Sequence, residues 1–88
     1  MTARSPDFYD AESMDKPDLN GLQSTYKTAV DRLVTAIRAE EALANADHSE
    51  TAMEKWDQAD FAVQDALKQA RKARDEYKDG LRRVHYGI

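Results

Sequence analysis

One aromatic ring, Phe61, and a block of cations from Lys68 to Arg83 are the side chains whose type and surroundings suit work on another molecule. At about 100° per residue, Phe61 falls nearly opposite the apolar stripe of its own segment. The face it occupies is otherwise made of Glu54, Asp57, Asp65, Lys68 and Lys72. A solvated charged face does not require a phenyl ring. An aromatic residue with a polar surround suits the centre of a small protein interface, where such residues carry much of the binding energy, although a single exposed aromatic is also ordinary. The contact site expected on this reading is Phe61 with Glu54, Asp57 and Asp65.

The cations offer a different chemistry. Lys68, Arg71, Lys72, Arg74, Lys78, Arg82 and Arg83, with Tyr77, His85 and Tyr86 nearby, have the types that neutralise phosphates and stack on bases. Asp75, Glu76 and Asp79 dilute that field, and cations near a helix C-terminus are ordinary complements of its dipole. Nucleic-acid binding is therefore the alternative reading rather than the leading one.

Catalytic and metal chemistry find no footing. There is no cysteine, and neither His48 nor His85 has a carboxylate at the Glu-x-x-His spacing of carboxylate-bridged metal bundles. Glycines at 21, 80 and 87 make no phosphate-cradling loop, and Ser5, Ser13, Ser24 and Ser49 have no local base. No enzyme, metal or cofactor is expected. Glu40, near the level of Trp56, is read as an edge carboxylate reaching water, and Trp56 as a plug at one end of the core.

Two helical stripes must position these groups. Leu19, Leu22, Tyr26, Ala29, Val30, Leu33, Ile37 and Ala44 recur at 3-4 spacing, as do Ala52, Trp56, Ala59, Val63, Ala66, Leu67, Ala70, Ala73 and Tyr77, with Leu81, Val84 and Ile88 in phase beyond. Between them Asn45 to Thr51 is rich in capping residues. An unbroken first stripe would pass through Asp47, Glu50, Glu54 and Asp57, so a single long helix is disfavoured. The fold class expected is all-α: an antiparallel two-helix hairpin with helices over about 18–46 and 50–79 or beyond. Asp18 or Asn20 would cap the first helix, and a Thr51–Glu54 capping box, or Asp47 or Ser49, the second. Folding near residue 48 sets Ile37 against Ala59, Leu33 against Val63, Tyr26 against Ala70, Leu22 against Ala73 and Leu19 against Tyr77.

Residues 1–17 read as an acidic, Pro-containing N-terminal arm with Phe8, Tyr9 and Met14 as apolar handles, and 18–88 as the hairpin domain. Eighty-eight residues allow little private core. One seam offsets backbone entropy of about 1–2 kcal/mol per ordered residue with difficulty, so completion to a four-helix bundle by dimerisation is expected.

Charge is uneven along the chain. The net charge is −4, yet residues 49–67 carry −4 (five carboxylates, one lysine) and residues 68–83 carry +4 (seven cations, three carboxylates). An overall acidic chain has no general pull on nucleic acid or anionic lipid. No apolar run approaches the roughly 18 residues of a membrane span, and no export pattern opens the chain. A cytoplasmic location is expected.

Small secreted Trp-x-Gly hairpins hold that tripeptide in their turn, whereas Trp56 precedes Asp57 and Gln58 here. No family resemblance is carried over. The function expected is a non-enzymatic protein–protein interaction module: an adaptor, a chaperone subunit or a small inhibitor of a larger enzyme, of the kind phages and mobile elements encode.

Overall fold

Two helices, α1 over Leu19–Glu41 and α2 over Glu50–Tyr86, make up the computed structural model of the chain, which describes residues 17–87. They pack against each other. No strand occurs among the described residues. The start of α1 meets the end of α2, since Tyr26 packs beside Tyr77 with ring centroids 6.5 Å apart and planes tilted by 31°. That juxtaposition makes the pair antiparallel, as the two stripes imply. The arm lies outside the described residues except for Pro17, as does Ile88.

The Asp18 side chain opens α1 by accepting the Gly21 N–H at 3.0 Å, which satisfies one of the four orphan donors of a first turn. Its end departs from expectation. The helix stops at Glu41, short of residue 46, because side chains of the following loop take over the backbone groups. Asn45 donates its amide to the Ala42 carbonyl and accepts the Asp47 N–H at 2.7 Å. Such local bonds compete directly with helix continuation. Leu43 and Ala44 bond back to the carbonyls of Glu40 and Glu41, a tightened last turn. Ala44 therefore lies past the helix.

A second such bond, from the Ser49 N–H to the Asp47 carboxylate at 3.0 Å, leads into α2. The cap is Ser49, whose hydroxyl accepts the Ala52 N–H at 3.1 Å. Thr51 with Glu54 does not serve, because Thr51 is already inside the first turn. Gly80 does not end the helix either. α2 continues to Tyr86 and is closed by Gly87 in the left-handed region at φ 71°. With 37 residues against 23, α2 is about 55 Å long and α1 about 35 Å, so α2 overhangs its partner.

Gly80 is buried because α1 closes on it. A Cβ there would lie 2.8 Å from Leu22 Cδ1, 3.2 Å from Leu19 Cδ2 and 3.3 Å from Pro17 Cβ. This corrects the expected register: Leu22 meets Gly80 and not Ala73, Leu19 also reaches Gly80, and Tyr26 meets Tyr77 and not Ala70. The contacts are displaced by one to two turns toward the C-terminus of α2. A displacement of seven residues nearly restores the same helical face. Periodicity is therefore blind to it, and loop geometry decides.

The seam buries only small groups. Ala52, Ala70, Ala73 and Gly80 are buried, and no larger apolar side chain among the described residues is. Leu33, Trp56, Val63 and Leu67 are half-buried. Two helices cover only the line between them, and bulky side chains must splay to its flanks. Ile37, expected to meet Ala59, is 46% exposed.

Candidate functional site

Phe61 sits on the outer face of α2, directed away from α1, with 74% of its surface exposed. Glu54, Asp57 and Asp65 are exposed on neighbouring turns, and none of them forms an ion pair with another described residue. The structure therefore brings the expected contact residues onto one side of one helix. Lys68 and Lys72 continue the stripe, so the ring has carboxylates on both sides, at 57 and 65, and cations beyond them.

The cations form no single row. At about 100° per residue, Lys68, Arg71, Lys72, Arg74, Lys78, Arg82 and Arg83 spread over the outer half of α2. Arg74 pairs with Asp75 at 3.1 Å and Arg82 with Asp79 at 2.9 Å. The other five have no ion pair among the described residues. Exposed pairs of this kind are worth about 0–1 kcal/mol, so even Arg74 and Arg82 are available to a partner.

The two sides of the hairpin differ sharply. On one, a groove of about 780 Å³ runs between the helices. Its floor is alanine (Ala29, Ala36, Ala62, Ala66 and Ala73), and its rim includes Thr28, Arg32, Asp65, Gln69 and Lys72. On the other side the same helical geometry collects Val30, Val34 and Ile37 from α1 with Met53, Trp56 and Leu67 from α2. Val34 is 47% and Met53 60% exposed. Sequence reasoning missed this apolar face. Its signal was present in the i,i+4 pair Val30–Val34 and in Met53, which widen each stripe toward the same flank.

Among the described residues, the loop holds a carboxyl whose pKa is displaced. The Ser49 hydroxyl and then the Ser49 N–H hold the Asp47 carboxyl below its usual value, since hydrogen bonds to the carboxylate favour its charged form. His48 is exposed beside it, and His85 is exposed in the last turn of α2. Among the described residues no group of three or more His, Cys, Asp or Glu converges as metal ligands would. Glu40 and Trp56 are both half-buried, and no hydrogen bond joins them. No described helix is long and apolar enough to cross a membrane.

Comparison with known protein families, with characterised proteins and with solved structures yields no match.

Proposed function

We propose that the chain is a non-enzymatic protein-interaction module of the cytoplasm that is completed to a four-helix bundle by a second copy. It presents the Phe61 face to a larger protein, as an adaptor, chaperone subunit or small inhibitor. The observation that carries this reading is the size of what the hairpin buries. A seam closed on three alanines and a glycine leaves every large apolar side chain among the described residues at least partly in water, and each half-covered valine or isoleucine forgoes about 1 kcal/mol of burial. Phe61 stands apart from that incomplete core, ringed by carboxylates that leave it accessible. Affinity capture with the wild-type chain and with Phe61→Ala, followed by circular dichroism, tests it. A bound protein retained by the first and lost by the second at equal helicity supports the reading; equal retention contradicts it.

The alternative is a nucleic-acid-binding regulator working through Lys68, Arg71, Lys72, Arg74, Lys78, Arg82 and Arg83. In its favour stand the five cations without ion pairs. It requires low-salt binding to RNA or DNA that disappears when Arg71, Lys72 and Arg74 are reversed in charge.

A further inference from the structure

We propose that the second copy docks on the apolar face in the antiparallel sense, about a twofold axis that crosses α2 near Leu67, so that the acidic half of each α2 runs along the basic half of the other. This inference rests on the self-association proposed above, to which it adds the face, the direction and the register.

Three observations choose the occupant. The uncovered apolar surface is one-sided: Val34, Ile37 and Met53 are 46–60% exposed and lie on the flank away from the alanine-floored groove. That flank also carries charge in two blocks. Asp57 and Asp60 border it toward the loop, and Arg71, Arg74 and Lys78, with Asp75 paired to Arg74, border it toward the other end. The boundary between the blocks falls at Leu67 and Lys68, the middle of the 37-residue α2. A surface whose two halves are mutually complementary about its own midpoint is what an isologous interface requires.

Two hairpins laid face to face about an axis across the helices set α2 on α2 and α1 on α1, with the loops at opposite ends. Asp57 and Asp60 of one copy then meet Lys78 and Arg74 of the other, with Arg71 close by. With Tyr26 level with Tyr77, the axis crosses α1 near residue 36, so Val34 of one copy lies over Ile37 of the other. The parallel arrangement instead sets α2 on α1 of the other copy, where its basic half meets Gln23, Lys27 and a single carboxylate, Asp31. Electrostatic complementarity of this kind fixes register and excludes the wrong pairing. Phe61 remains on the outside.

A charge-exchange experiment tests the proposal in the full chain. Asp57→Lys with Asp60→Lys, and separately Arg71→Glu with Lys78→Glu, should each weaken the dimer at least tenfold by light scattering. An equimolar mixture of the two should recover a mass near twice 10.0 kDa. Spin labels at Gln64 should lie roughly 10–20 Å apart across the dimer, and labels at Arg82 roughly 45 Å apart, by the helical rise. Short distances at Arg82 would overturn the antiparallel geometry while leaving self-association intact. A dimer indifferent to both charge variants would overturn the face. A 10.0 kDa species at every concentration would overturn both the geometry and the self-association, without touching capture through Phe61.

Discussion

The two long sides of the hairpin use the same helices to opposite ends. One is a groove floored by alanine and rimmed by hydroxyl, amide and charged groups, which water can wet at little cost. The other gathers valine, isoleucine, methionine and tryptophan. Small side chains let the axes approach and gain dispersion contacts, but they place the bulk of the apolar volume on the opposite flank. The lesson is that a close seam in a two-helix protein leaves an open face, and on the proposed reading that face is where a second copy docks.

The largest effect should separate the two sides. Val34→Asp places a carboxylate in the apolar face, and an unpaired buried charge costs about 3–5 kcal/mol. Self-association measured by sedimentation equilibrium should weaken at least about 100-fold, which is about 2.7 kcal/mol. Ala62→Asp, the same chemistry in the groove, should change it by less than about threefold. Equal effects would erase the distinction between the sides.

Next in size is the seam itself. Gly80→Leu forces bulk against Leu22, Leu19 and Pro17, and overpacking of this kind costs about 1–3 kcal/mol. Urea denaturation should show the loss, and an unchanged midpoint would mean that α1 does not close on α2 at this point. Ser49→Ala removes the hydroxyl that caps α2, for about 1 kcal/mol. This loss should appear equally in a monomeric variant, because the cap serves the hairpin and not its docking.

The smallest effect concerns the Asp47 carboxylate. Ser49 holds its folded pKa below the ordinary value of 3.8, so its contribution is present above that value and is lost as pH falls through the lower folded one. Asp47→Ala should therefore lower the midpoint slightly at pH 6. The difference should vanish near pH 2, and its persistence there would remove the carboxylate as its source.

Much of this arrangement was legible in the residues. Leu19 to Leu33 and Ala52 to Tyr77 announce their faces because 3-4 spacing survives any exchange of one apolar residue for another. Asp18 is legible as a cap, and Phe61 as an aromatic out of phase. The end of α1 was not, because Leu43 and Ala44 are good helix formers and only the folded loop shows Asn45 bonding Ala42 and Asp47. Register escaped for a deeper reason: moving Tyr26 from Ala70 to Tyr77 alters neither helix's pattern. The apolar face escaped because Val34 and Met53 lie beside the stripes, and only the distance between the helices determines which large side chains remain uncovered.

The difference between the sides can be measured with a single thiol, since the native chain has no cysteine. Val34→Cys and Ala62→Cys each place that thiol at a position exposed within one chain. The account predicts that the thiol at 34 reacts ever more slowly as protein concentration rises through the micromolar range, while the thiol at 62 reacts quickly throughout. Equal and concentration-independent rates at the two positions would contradict it.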